Sequence, residues 1–334
     1  MSRTPLCVVI LAAGQGTRMK SRLAKVLHPV GGRAMISHVL ATAEELGAER
    51  TVAVIGKDMQ DVADHISPIP TVVQDPPQGT ADAVLAAKEQ IEGFSGDILV
   101  LYGDTPLLTA ETLSNMRDVR ADKNAAVVVL GFTPEDPAQY GRLVVSEAGG
   151  LERIVEYRDC SEAEKAIPLC NAGVMLIDGV RALDLLGRVD NDNAKGEFYL
   201  TDIVALARSD GAPCAVVEAD ADEVTGVNSR GELALAEAIF QQRLRARAME
   251  AGVTLIAPET VYLSADTQIA ADVTIHPHVV IGPGVRIAEG AVIEAFSHLD
   301  GAEVGEGASI GPYARLRPGA KIGTGARIGN FVEV

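Results

Sequence analysis

From Leu263 onward aliphatic residues return at every sixth position: Leu263, Ile269, Ile275, Ile281, Ile287, Ile293 and Leu299. After one step of five the series resumes at Val304, Ile310, Leu316, Ile322, Ile328 and Val334. The positions four residues further on are small or branched, among them Val273, Val279, Val285, Ala291, Ala308, Ala314, Ala320 and Ala326. Ordinary strands alternate with period two, which is absent. A period of six is the mark of a parallel β-helix of hexapeptide repeats, in which an aliphatic side chain fills each inner corner and a small residue lets the next strand lie against it. Three hexapeptides make one triangular coil, so about four coils are expected. The series runs to the last residue without a capping segment. A bare apolar end invites association, and the expectation is a chain truncated at its C-terminus relative to a longer protein.

At the other end stands Val8-Val9-Ile10-Leu11-Ala12-Ala13-Gly14-Gln15-Gly16-Thr17-Arg18-Met19-Lys20. The short apolar run suits a central strand of a parallel sheet. Ala-Ala-Gly-x-Gly then removes side-chain bulk, so backbone N–H groups can approach an anion. Arg18 supplies a planar donor fork that matches phosphate, and Lys25 a second cation. The dinucleotide fingerprint G-x-G-x-x-G fails, because Met19 stands at its third glycine, and no G-x-x-x-x-G-K-[ST] is present. A bare G-x-G also serves as a tightly packed β–α turn.

The chain's 334 residues allow two domains. A net charge of −17 argues against a nucleic-acid binder, which needs a basic face, but not against a nucleotide substrate. Cys7, Cys160, Cys170 and Cys214 lie far apart and read as reduced core residues of a cytoplasmic protein. Leu6 to Ala13 continues into the glycine loop rather than a cleavage site, so it is not read as a signal peptide, and no run reaches the length of a membrane helix.

Between the two ends, strands and helices alternate. Helices are expected at Met35 to Leu46, Asp58 to Ile66 and Thr80 to Gln90, the last capped by Thr80. Strands are expected at 51–55, 71–73 and 97–101. This order predicts an α/β, doubly wound, mostly parallel sheet, with ligands at the carboxyl ends of its strands. There Tyr102-Gly103-Asp104 offers a carboxylate suited to Mg²⁺, although an Asp before Pro106 can also simply start a turn. From residue 125 strands dominate, and Glu156, Asn171 and the blocks Gly196 to Asp202 and Gly226 to Arg230 flank them. Arg230 to Ala251 reads as one connecting helix. The expected division is residues 1–229, a linker helix at 230–252, and the hexapeptide β-helix at 253–334.

The run Leu-Ala-Ala-Gly-x-Gly-Thr-Arg-Met with Lys25 behind it resembles the signature of sugar-phosphate nucleotidyltransferases. With Lys25-Val26-Leu27-His28, Gln74, Gly79-Thr80, Tyr102-Gly103-Asp104, Tyr140-Gly141-Arg142, Glu156, Asn171, Gly196 to Asp202 and Gly226 to Arg230, the first domain resembles one branch end to end. That branch is the bacterial bifunctional N-acetylglucosamine-1-phosphate uridyltransferase / glucosamine-1-phosphate acetyltransferase family. The resemblance implies a nucleotidyltransferase-like first domain and a left-handed β-helix. Leu11, Ala12, Ala13, Gly14, Gln74, Gly79 and Thr80 would bind the uridine part of UTP, and Arg18 and Lys25 would act catalytically at its phosphates. Gly141, Glu156 and Asn171 would hold N-acetylglucosamine 1-phosphate, Tyr102 and Gly103 would line the pocket, and Asp104 and Asn228 would coordinate Mg²⁺. Gln78 and Asp82 depart from the family's more usual Leu and His.

The resemblance further implies a cytoplasmic homotrimer without nucleic-acid or membrane partners, in cell-wall precursor synthesis. The acetyl-CoA-dependent activity would belong to the full-length parent. Arg317 resembles an amino-sugar phosphate contact of that second site, but the repeat's histidines, His276, His278 and His298, all precede the segment where the family places its base. This chain is therefore not expected to acetylate. The alternatives are a nucleotidyltransferase for another sugar 1-phosphate, and a non-catalytic regulatory subunit of the same two-domain build.

Overall fold

The computed structural model describes residues 4–137 and 139–334. The chain divides into two compact units, one of residues up to His28 with Met35–Glu232, the other of Pro29–Ala34 with Leu233–Val334.

The first unit is built on β1 (Leu6–Leu11), whose six residues are all buried. After the hairpin β2 (Pro29–Val30) and β3 (Arg33–Ala34), which belongs to the second unit, come α1 (Met35–Glu45), β4 (Arg50–Gly56), α2 (Gln60–Ile66) and β5 (Thr71–Gln74). Two short helices, α3 (Thr80–Ala86) and α4 (Lys88–Ile91), precede β6 (Asp97–Tyr102). Then follow α5 (Ala110–Lys123), β7 (Val127–Phe132), β8 (Arg142–Val145), β9 (Leu151–Val155), α6 (Glu162–Lys165), β10 (Cys170–Asp178), α7 (Gly179–Gly187), α8 (Asp202–Ser209) and β11 (Cys214–Glu218). The sheet order is β11-β7-β10-β6-β1-β4-β5, with β8 and β9 attached at the start of β10.

Strands β5, β4, β1 and β6 run parallel, while β10 runs antiparallel to both β6 and β7. The chain winds from β1 to β4 and β5, then returns to place β6 on the other flank of β1. That reversal opens a crevice beyond the carboxyl ends of β1 and β6, the place where sheets of this kind bind ligands. Leu11 and Tyr102 are register partners there, and Gly103 N–H donates to Leu11 O at 3.0 Å.

The segment expected to form one helix over Thr80 to Gln90 breaks at Ala87 into α3 and α4. Thr80 does not cap it either. It already stands in the first turn, and its Oγ1 accepts from Leu200 N–H at 2.9 Å, so the hydroxyl ties two segments together instead.

In the second unit α9 (Arg230–Glu250) contributes Glu237, Phe240 and Gln241. Gly31 donates to Glu237 Oε2 at 2.6 Å and accepts from Ala265 N–H at 2.8 Å. Its φ is 54°, and an added Cβ would lie 2.3 Å from the Phe240 ring, so only glycine fits. Gln241 pairs with both backbone groups of Leu263, at 2.6 and 2.9 Å, satisfying a buried strand end.

Beyond α9, two-residue strands stack into three parallel sheets, one of five strands and two of four, as about four coils require. The second residue of each is the repeating aliphatic, and Ile275, Ile293, Leu299, Ile310 and Leu316 are wholly buried. Val280 pairs with His298, eighteen residues on, but His298 pairs with Arg315, seventeen on. The single five-residue step therefore shortens one coil by a residue, and buried Ala302 takes the small inner position. No helix of the described residues is long and apolar enough to cross a membrane.

Candidate active site of the first unit

A cavity of about 580 Å³ lies at the crevice. Twelve of the residues singled out from the sequence line it: Leu11, Ala12, Ala13, Gly14, Lys25, Gln74, Gly79, Thr80, Tyr102, Asp104, Glu156 and Asn171. Gly103 is buried beside it, where a Cβ would come within 3.3 Å of Ala12 and 3.1 Å of Val26. Gly141 is buried with its Cβ position 3.5 Å from Glu156 Oε1. Arg18 is not among the lining residues. It sits on an exposed single turn, Thr17–Met19, flanked by left-handed Gly16 and Lys20. Arg317 belongs to the second unit, where it donates to Glu333 Oε1.

The glycine loop folds over the stem of Lys25. Gly16 has φ 60°, and a Cβ there would stand 2.6 Å from Lys25 Cβ. The Lys25 ammonium donates to a carboxylate oxygen of Asp104 and, at 2.9 Å, to Asn228 Oδ1. Asp104 and Asn228 thus converge on one cation, with hard oxygen donors only, which is the donor set that suits Mg²⁺. Two protein ligands are what a Mg²⁺ ion takes when substrate phosphate and water complete its shell. Arg230 anchors the same loop: its Nε donates to Met19 O at 3.2 Å, and its Nη1 lies 3.3 Å from His28 Nδ1. Burial, then the Arg230 charge, pushes the His28 pKa down, so its ring stays neutral and Nδ1 can accept.

At the other wall, Gly79 is pressed against Phe198. Phe198 N–H donates to Gln78 O at 2.8 Å, Ala81 N–H donates to Phe198 O at 3.0 Å, and a Cβ on Gly79 would lie 2.4 Å from that carbonyl oxygen. Gln74 closes this corner, its Nε2 donating to Gly79 O at 3.0 Å and to Asp82 Oδ2 at 2.7 Å.

The third wall forms where the β10 pairing with β7 slips between Asn171 and Met175. Gly173 (φ 88°) leaves room for the Tyr102 ring, which a Cβ would approach to 2.9 Å. Asn171 Oδ1 accepts from Gly173 N–H at 2.9 Å. Glu156 accepts from Thr201 Oγ1 at 3.4 Å, and burial raises its pKa despite nearby Lys195. Burial raises the Tyr102 phenol strongly, helped by the Asp104 and Glu156 charges, so it remains a neutral donor. Lys195, Tyr199 and Thr201 also line the cavity and were not singled out. The block Gly196 to Asp202 is the only signal for Tyr199 and Thr201, and by itself it reads as a turn before a helix, while Lys195 lies just outside it.

A glycine loop, a buried cation and a carboxylate gathered at the switch point of an α/β sheet define a nucleotidyltransferase-like domain, here followed in the chain by a hexapeptide β-helix. Residues 8–168 match the MobA-like NTP transferase domain, and residues 260–300 and 301–334 the bacterial transferase hexapeptide family of six repeats. Over 267 residues the chain is 59% identical to the bifunctional protein GlmU of Rhodospirillum rubrum, covering 80% of this chain and 60% of that one. Over 270 residues it is 56% identical to the protein of the same name from Paramagnetospirillum magneticum, with the same coverage. The chain is thus similar to the bifunctional GlmU proteins over four fifths of its own length, and spans about three fifths of the length of these relatives.

Proposed function

We propose that this chain transfers UMP from UTP to N-acetylglucosamine 1-phosphate, giving UDP-N-acetylglucosamine and pyrophosphate, with Mg²⁺ as cofactor. The observation that carries the reading is the convergence of Asp104 and Asn228 on the Lys25 ammonium beside the cavity. Mg²⁺, held by Asp104 and Asn228, would neutralise phosphate charge and act as a Lewis acid. Lys25, once relieved of those two oxygens, has a mobile ammonium for the same phosphates, and Arg18 on its exposed turn offers the bidentate fork. The loop Ala12 to Gly16 supplies backbone N–H groups to the anion, while Gln74, Gly79 and Thr80 take the base end. Glu156 and Asn171 take the sugar hydroxyls and amide. The attacking phosphate oxygen is already ionised, so no general base is required, and positioning with charge neutralisation supplies the rate.

The relatives' name, bifunctional, fits a second activity in the whole protein, proposed to be acetyl transfer from acetyl-CoA to glucosamine 1-phosphate, with Arg317 as one phosphate contact. Homotrimer assembly through the hexapeptide coils is proposed likewise, as is a cytoplasmic setting, where four buried free thiols would stay reduced. The test is pyrophosphate release across a panel of nucleoside triphosphates and sugar 1-phosphates. Release with UTP and N-acetylglucosamine 1-phosphate supports the reading, release only with another pair redirects it to a related nucleotidyltransferase, and no release with any pair favours the non-catalytic subunit.

A further inference from the structure

Gln74 is 7% exposed, at the last position of β5, and its side-chain amide is spent in one direction only. A carboxamide has two N–H donors and one carbonyl acceptor. Both donors are committed, one to the Gly79 carbonyl at 3.0 Å and one to Asp82 Oδ2 at 2.7 Å. Neither partner can donate in return, because a backbone carbonyl and a carboxylate only accept. The amide therefore has one allowed orientation, and among the described residues nothing donates to its Oε1. Gln74 lines the cavity, so Oε1 is the polar atom it can present to a ligand.

We propose that Asp82 is a positioning residue that sets the base preference of this site by locking Gln74 with its carbonyl toward the ligand. The inference rests on the uridyltransferase reading and deepens it. A lone acceptor at this position matches the N3–H of a uracil ring. Cytosine carries a lone pair at N3 and would face the carbonyl with like charge. A site built to receive one hydrogen bond rejects an analogue that cannot make it, because buried polar groups are then left unpaired. Asp82 stands where the family resemblance has His, and it also accepts from Gln78 N–H at 3.4 Å, so it holds both sides of the corner. No other side chain of the described residues is seen to fix the flip of Gln74.

The test compares UTP and CTP, by calorimetric binding with Mg²⁺ and by kcat/KM with N-acetylglucosamine 1-phosphate, for the wild-type chain, Asp82→Asn and Asp82→Glu. The asparagine is isosteric but can donate, so of the two acceptors that fix the Gln74 amide only the Gly79 carbonyl remains, and the flip that turns the amide toward the base becomes less costly. The expected result is a fall of about tenfold or more in the UTP-to-CTP ratio in Asp82→Asn, with KM for the sugar phosphate unchanged and the ratio largely restored in Asp82→Glu. Equal affinity of the wild type for both nucleotides overturns the inference. An unchanged ratio in Asp82→Asn, or an equal loss for both nucleotides, overturns it too, since a merely structural role would give that. Should the wild type bind UTP selectively but release no pyrophosphate, the uridyltransferase reading fails while the binding arm still decides the role of Asp82.

Discussion

Lys25 Nζ lies 2.9 Å from Asn228 Oδ1, although 203 positions separate the two residues in the chain. The same ammonium meets Asp104. A protein rarely buries an amine this far unless oxygen acceptors hold it, and here the acceptors are the two groups proposed to hold a metal. Lysine and divalent cation are therefore expected to compete. Lys25→Ala should bind Mn²⁺ several-fold more tightly in the absence of nucleotide, while losing turnover. Asp104→Ala should lose Mn²⁺ binding and about 10²–10³-fold in kcat, with its circular dichroism unchanged. Calorimetry and steady-state kinetics read both, and equal Mn²⁺ affinity in Lys25→Ala and wild type would contradict the competition.

Gly79→Ala should damage both fold and binding. Its φ of 129° is outside the ordinary range of an L-residue, and the new methyl would meet the Phe198 backbone at 2.4 to 2.9 Å. A loss of about 1–3 kcal/mol in denaturant unfolding is expected, with KM for UTP raised. A variant as stable as wild type would show that the Phe198 segment can withdraw at little cost.

Much of this was legible in the sequence, for physical reasons that differ by element. The hexapeptide period shows because every coil repeats the same corner, so one rule recurs a dozen times. β1 and its glycine loop show because burial and close approach leave few residue choices. The sugar side did not show as clearly. Lys195, Tyr199 and Thr201 reach the cavity where Phe198 bonds to Gln78 and Ala81 and Leu200 to Thr80, contacts fixed by tertiary packing and not by local pattern. Gln78, one of the two departures from the family pattern, engages Phe198 through its backbone carbonyl, a contact that does not depend on its side chain. Nor does the sequence disclose that Pro29–Ala34 belongs to the second unit, because the hairpin's partners, Glu237 and Ala265, come more than 200 residues later.

Asp97, at the start of β6, is 2% exposed and meets two guanidinium groups of α5: Arg117 Nε at 3.0 Å, and Arg120. Asp97→Ala leaves two cations beneath the sheet without their carboxylate. A destabilisation of about 3–5 kcal/mol is expected, read as a lower denaturant midpoint. A change under about 1 kcal/mol would mean that water reaches the cluster.

Stability should also carry a pH signature from Asp202. Burial, then the charges of Asp190, Glu156 and Asp159, raises its pKa to about 6. The folded state then binds this proton more tightly than the unfolded chain, so the contribution of Asp202 is most favourable below the ordinary carboxyl value of 3.8 and is lost as pH rises from there through about 6. Asp202→Asn should match wild type in Tm at low pH and exceed it at pH 7. A Tm difference that does not vary across that window would contradict the assignment.

The central claim is that a cation between Asp104 and Asn228 serves UMP transfer to a sugar phosphate. It is tested most directly with UTP labelled at the α-phosphorus, incubated with N-acetylglucosamine 1-phosphate and Mg²⁺. The account predicts label in UDP-N-acetylglucosamine, none there when Mg²⁺ is chelated, and almost none with Asp104→Ala. Label transferred at the wild-type rate by Asp104→Ala, or no labelled nucleotide sugar from the wild-type chain, would contradict it.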